Sequence, residues 1–182
     1  MTPRMPADVL LCADDFAFNA ACSQAIIELA GASSIQATSA MVLSPRWEKD
    51  APILHAARGK ASVGLHLDWT SDFARAEGHG MPLGQAMLRA AWGGFSGAAT
   101  RRVIARQLDL FEKHWGGPPD HIDGHQHVHQ FAGHSGCAAC GNHRTLRAAP
   151  ALAAHFQPDS TVSGHQTHAH PGPRCPCVEG IE

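Results

Sequence analysis

Residues 8–15 read "DVLLCADD": a short apolar run that stops abruptly at two carboxylates, Asp14 and Asp15. An apolar run of this length, with no polar alternation, is the pattern of a strand buried on both faces, as in parallel sheets. Acids at its C-terminal end are notable because chemistry on parallel sheets and barrels gathers at that end. Moving outward, Asn19 is placed to cap a helix over "AACSQAIIELAG" that Gly31 closes, with Ala25, Ile26 and Leu29 as its expected inner stripe. "ATSAMVL" (37–43) is expected to be a second strand, and Ser44–Pro45 to open a helix through "RWEKDAPILHAAR", with Pro52 an unfavourable residue in its middle. "SVGLHLDW" (62–69) is a third strand, apolar except for His66 and Asp68 near its end. Residues 70–96 are glycine-rich, with one helix expected at Leu83–Trp92. The clearest helix is Thr100–Trp115, where Ile104, Leu108, Phe111 and Trp115 share one face. "GGPPD" ends it, and Pro119–Asp123 fits a short fourth strand.

Strands alternating with helices imply an α/β fold with a parallel sheet. Three polar clusters then fall at strand ends: Asp14/Asp15, His66/Asp68, and "HIDGHQHVHQ" (121–130). In the last, His121, Asp123, His125, His127 and His129 occupy alternate positions, so an extended chain would line one face with imidazoles. Taken together, Asp15, His66 and His125 form a two-imidazole, one-carboxylate set of the kind that holds one divalent metal ion, magnesium or zinc, with positions left open for water and substrate. Asp14 is placed to act as the catalytic base beside that water. Asp68 and Asp123 are candidates to accept a hydrogen bond from a ligating imidazole. Trp69 is a candidate to stack on a sugar ring, although a core tryptophan is the commoner outcome. His127 and His129 are candidates to orient substrate or carry protons, and not every imidazole in the run is needed as a ligand.

Bulk composition narrows the partners. Of 182 residues, 44% are hydrophobic and 16% charged, which excludes an unfolded polyampholyte, and a net charge of −2 with dispersed Lys and Arg gives no stripe for nucleic acid. No apolar run reaches the roughly 20 residues of a membrane span, so no stable membrane insertion is expected. The N-terminus lacks a signal peptide's apolar segment, which leads to a cytoplasmic expectation with reduced thiols. Cys12 and Cys22 are then expected to pack as small hydrophobes. The composition changes at about residue 132: 133–182 holds six His, four Cys and five Pro with few large apolar side chains. Such a segment is expected to be disordered, and its bulk Ala, Arg, Pro, Gly, His and Cys fits translation out of frame from a GC-rich gene. Cys137 and Cys140 have the C-x-x-C spacing of a zinc site, but Cys175 and Cys177 do not.

"ADDFAFNAACSQAI", "SVGLHLDWT" and "PPDHIDGHQHVHQF" resemble, as an ordered set across about residues 7–132, the three successive motifs of the YdjC-like carbohydrate deacetylases, the ChbG/HpnK family. "GLHLDWT" and "DGHQHVHQF" are most similar to the hopanoid-biosynthesis-associated HpnK branch. The resemblance implies a (β/α) barrel-like fold of the polysaccharide-deacetylase type and hydrolytic removal of an N-acetyl group from a small amino-sugar substrate. It also implies a divalent metal on Asp15, His66 and His125, with Asp14 as base. The family has Gly where this chain has Ala17, so a positive φ there would strain the alanine. A full barrel takes about 250 residues, so the N-terminal part of such a domain, an incomplete barrel, is expected. The alternative is a non-catalytic divalent-metal-binding protein with a His/Cys-rich tail; phosphoester hydrolysis ranks below both, because the motifs supply no phosphate-clamping Arg or Lys.

Overall fold

The computed structural model describes residues 10–95 and 97–130. The expectations for 133–182, including the cysteine zinc site and the disordered tail, lie outside these residues. Four strands, β1 (Cys12–Phe16), β2 (Ala37–Ala40), β3 (Ser62–Leu67) and β4 (Ile122–Gly124), form one parallel sheet in the order β1-β2-β3-β4. Helix α1 (Ala20–Gly31) connects the first pair and α2 (Trp47–Leu54), continued by a 3-10 turn at His55–Ala57, connects the second. Between β3 and β4 come α3 (Asp72–Ala76), α4 (Leu83–Ala91) and α5 (Ala98–Trp115). The α/β reading with parallel strands therefore holds. The short helix α3 was not anticipated; Ser71 caps it by accepting from the backbone N–H of Phe73 and Ala74.

One face of the sheet carries the core. Phe16, Leu65, Leu67 and Ile122 pack against Ile26 of α1, Trp47 and Leu54 of α2, and the Ile104, Leu108, Phe111 and Trp115 stripe of α5. Trp47 stacks on Phe111 at 5.6 Å and donates Nε1–H to the Leu110 carbonyl at 2.9 Å, so α2 and α5 are fixed to each other by both packing and a hydrogen bond. Helix α2 continues through Pro52. Its N-terminal end is held by the fully buried Asp50, which accepts from Arg46 and, at 2.6 Å, from Ser23 of α1.

Several expectations are corrected. The buried stripe of α1 is Ser23, Ile26 and Ala30, whereas Ala25 and Leu29 face outward. Helical spacing allowed either stripe; the Ser23–Asp50 bond selects this one. The first strand is not buried on both faces: among the described residues it is the outermost strand beside β2, and Leu10 and Leu11 are 56% and 47% exposed. Cys12 is accordingly exposed and Cys22 half-buried, so neither is a packed core residue. The alternating histidine run does not continue as a strand past Gly124. His125–Gln130 form a 3-10 segment broken by left-handed Gln126 and His127, so the run loses its common face.

Ala17, at the family's glycine position, does adopt positive φ, +70°. Its N–H donates to Ser23 Oγ and its carbonyl accepts from Ser44 Oγ at 2.6 Å, which hold the backbone there. The left-handed conformation costs an alanine about 1–2 kcal/mol. Glycine would forfeit about 0.5–1 kcal/mol of chain entropy and about 0.8 kcal/mol for the buried methyl. The terms nearly cancel, which explains how the alanine is tolerated.

Candidate metal centre

Adjacent residues on a regular strand point to opposite faces, yet Asp14 and Asp15 both reach the same cluster. The reason is a bulge. Ala13 pairs with Thr38 and Phe16 with Ala40, so Asp14 and Asp15 together stand opposite the single residue Ser39. Asp15 takes φ +64° to do so, a conformation Asp tolerates better than most side chains. A paired-acid motif thus becomes two carboxylates on one face.

The remaining members come from the other strands. His66 on β3 pairs in register with Asp123 on β4, and Ser39 of β2 lies beside both. His125 opens the 3-10 segment immediately after β4. Asp15 Oδ1 lies 3.2 Å from His66 Nε2 and 3.0 Å from His125 Nδ1. The other ring nitrogen of His66, Nδ1, is 2.7 Å from Asp123 Oδ1. Ser39 Oγ lies 2.8 Å from Asp123 Oδ2, 3.0 Å from His66 Nδ1 and 3.4 Å from Asp14 Oδ1. His66 is buried, Asp15 and His125 are half-buried and Asp14 is exposed, so the cluster opens to solvent on the Asp14 side.

Electrostatics follow from these contacts. Hydrogen bonds from His125 and then His66 hold the Asp15 carboxyl well below the ordinary carboxylate range. Burial pulls His66 down, but the bonds to Asp123 and Asp15 outweigh it and raise the imidazole to about 10. Asp123 is lowered for the reciprocal reason: burial opposes its charge, and His66 beside it prevails. An acid–imidazole–acid chain of this kind holds a cationic proton where a metal cation would also be favoured.

The donor set fits a divalent ion. One atom each of Asp15, His66 and His125 lie within 4.8 Å of one another, and neighbouring ligands on an ion with bonds of about 2.1 Å stand roughly 3 Å apart. Asp123 supplies the outer acceptor that keeps a ligating imidazole in one tautomer. Asp14, His66 and Asp123 also lie within that distance of one another, as do Cys12, His121 and Asp123.

The other sequence candidates are placed elsewhere. Asp68 is fully buried, and its carboxylate accepts from the backbone N–H of Thr70 and Ser71 and from the Ser71 hydroxyl; it shapes the turn into α3, and the imidazole-acceptor position is taken by Asp123. Trp69 is 3% exposed, edge-on to His79 and Phe95, so it has no open face for a sugar. His127 is exposed and His129 half-buried, their rings 6.2 Å apart; burial lowers His129. Among the described residues, neither joins the donor groups of Asp15, of Asp14 or of Cys12. Two participants were not singled out from sequence. Ser39 could have been found as a small polar side chain in a short strand beside the two that carry the paired acids and His66. Gln107, buried in α5, bonds both backbone groups of Asp68 (2.9 and 3.0 Å) and anchors the end of β3; its position on the helix face gave the signal.

Gly64 is required by a neighbour. A Cβ there would stand 2.4 Å from His121 Nε2. Gly64→Ala is therefore expected to displace the His121 ring and to destabilise the protein by about 1–3 kcal/mol, read by chemical denaturation; an unchanged midpoint would show that the ring does not rest there.

The comparisons agree with this architecture. The family model described as YdjC-like protein matches residues 8–157, continuing past the compositional boundary at 132. A crystal structure from Enterococcus faecalis V583, of a protein named for cellobiose-phosphate cleavage, superposes with a TM-score of 0.59 at 22% identity, covering 74% of this chain. This chain spans 55% of that protein's length. No curated protein matches it at the same standard. With more than half of its length matched, from the paired acids through the histidine run, the chain belongs to the YdjC-like protein family.

Proposed function

We propose that this chain is a metal-dependent hydrolase that removes an N-acetyl group from a small amino-sugar substrate, with the ion held by Asp15, His66 and His125 and with Asp14 as the base. The observation that carries it is the meeting of Asp15 and His125, 110 positions apart in sequence, around one carboxylate oxygen that His66 also touches. Family membership supports the same reading, and the likeness of "GLHLDWT" and "DGHQHVHQF" to the hopanoid-associated branch is the reason for proposing that branch within the family.

A divalent ion on these ligands would acidify a bound water toward a pKa of about 7 and polarise an amide carbonyl. The chain's own residues supply the rest. Asp14, exposed and adjacent to the Asp15 ligand in the bulge, accepts the proton of the attacking water. Ser39 donates its hydroxyl proton to Asp123 at 2.8 Å and lies between that carboxylate and Asp14, 3.4 Å away. Asp123 accepts Nδ1–H from His66, which directs Nε2 at Asp15. Holding a cation there requires His66 to release its Nε2 proton while Nδ1 keeps its own. The two imidazoles favour zinc-like ions, and magnesium prefers oxygen donors; either fits a single divalent site.

The test is acetate release by the purified full chain from N-acetylated disaccharides, free and phosphorylated, after loading with magnesium or zinc. Acetate that appears with the ion and stops on chelation is the expected result. A chain that binds ions, whether with or without its His/Cys-rich segment, and releases no acetate from any of these would be a metal-binding protein and not a hydrolase.

A further inference from the structure

Beyond the cluster just described, a second group of donors lies on the same face of the sheet. Cys12 belongs to β1 and His121 immediately precedes β4, the outermost of the four strands among the described residues. On a flat sheet, strands three places apart stand about 14 Å from each other. Here Cys12 Sγ and His121 Nε2 are 3.9 Å apart. The sheet must therefore curve toward this face, and the Gly64 position lets the His121 ring lie across β3 toward β1. Asp123 completes the group, with one donor atom of each residue within 4.8 Å of the others.

The geometry points to a second cation site, formed by Cys12, His121 and Asp123 and selective for zinc-class ions over magnesium. A thiolate, an imidazole and a carboxylate form a borderline-soft donor set with one tetrahedral position left for water, whereas magnesium requires mostly oxygen. The thiol is not a free nucleophile: although the residue as a whole is exposed, its sulfur lies against the His121 ring, and desolvation there, then the Asp14 carboxylate beside it, push Cys12 well above the ordinary thiol range. Binding exchanges the thiol proton for the metal–sulfur bond, and that proton leaves to solvent. Asp123 is common to the two sites, since it also accepts from His66 and Ser39. An ion on Cys12 and His121 competes for Asp123 and sits beside Asp14, so it suppresses hydrolysis; this consequence, unlike the site itself, rests on the hydrolase reading.

The experiment uses the full-length chain with Cys22, Cys137, Cys140, Cys175 and Cys177 changed to serine, leaving Cys12 as the only thiol, titrated with cobalt(II). The expected result is a near-ultraviolet thiolate-to-cobalt charge-transfer band that disappears in Cys12→Ser and whose half-saturating cobalt concentration rises at least tenfold in His121→Asn. Magnesium in excess does not displace it. Asp15→Ala, which disables the first site, keeps the band, so failure of one site is distinguishable from failure of the other. In acetate release, excess zinc inhibits the Cys12 chain and not its Cys12→Ser counterpart. A Cys12-only chain without the band, or a band that survives unchanged in His121→Asn, overturns the proposal.

Discussion

Asp14→Asn is expected to slow acetate release about 10²–10⁴-fold, the usual contribution of a positioned general base, with the number of bound magnesium ions unchanged. Asparagine keeps the size of the side chain and an oxygen for Ser39, whose hydroxyl lies 3.4 Å from Asp14 Oδ1. It cannot take a proton. The substitution therefore separates two roles that the bulge brings together, since Asp15 beside it touches both imidazoles and Asp14 touches neither ring at hydrogen-bonding distance. Isothermal titration with magnesium, alongside the acetate assay, checks both halves. Loss of the ion in Asp14→Asn would move the metal to the neighbouring set of Asp14, His66 and Asp123, whose donor atoms are also within 4.8 Å of one another. A full rate with the ion retained would remove Asp14 from the chemistry.

Why the paired acids are legible in the sequence, while the way they are used is not, follows from the bulge. The apolar run before them and the helix signals after them locate a strand end, and polar groups at strand ends mark the working rim of a parallel sheet. Nothing in "ADDF" states that two adjacent carboxylates share a face, because that depends on an extra residue opposite Ser39, a property of pairing between strands. The same limit applies to "HIDGHQHVH". Alternation is a sound guide only while the chain stays extended, and the left-handed Gln126 and His127 end that immediately after His125. His66 and Asp123, by contrast, were legible because both lie within regular strands that pair in register. Asp68 misled for a local reason: a carboxylate at a strand end can bond its own following turn, and the Thr70 and Ser71 N–H groups are nearer than any imidazole. Parallel pairing was readable from the alternation of elements, but the place of each strand in the sheet was not, so Leu10, Leu11 and Cys12 are more exposed than a strand buried on both faces would allow.

His66→Ala is expected to weaken metal binding by on the order of 10²–10³-fold, taking the 10–16 kcal/mol of a four-ligand zinc site as about 2.5–4 kcal/mol per ligand. The pH dependence identifies the cause. His66 is raised from 6.5 to about 10 in the folded protein, so the metal-free fold gains stability from its charge that is fully present below 6.5 and lost as pH rises through 10. Asp15 and Asp123 are depressed, so their contribution is present above 3.8 and lost as pH falls below that value. The metal-free wild type should therefore be most favoured by this cluster between about pH 4 and 6.5. The stability gap to His66→Ala should be widest there and should shrink as pH approaches 10, because the variant leaves two carboxylates facing each other without the cation between them. Metal binding runs in the opposite direction, since the ion must displace the Nε2 proton. Wild-type affinity should rise nearly tenfold per pH unit between 7 and 9, and the variant should lose that slope along with most of its affinity. Titrations at three pH values and melting curves of the metal-free forms measure both trends. A variant that keeps the wild-type slope would mean that the ion does not compete with the His66 proton, and the ligand set of Asp15, His66 and His125 would have to be abandoned.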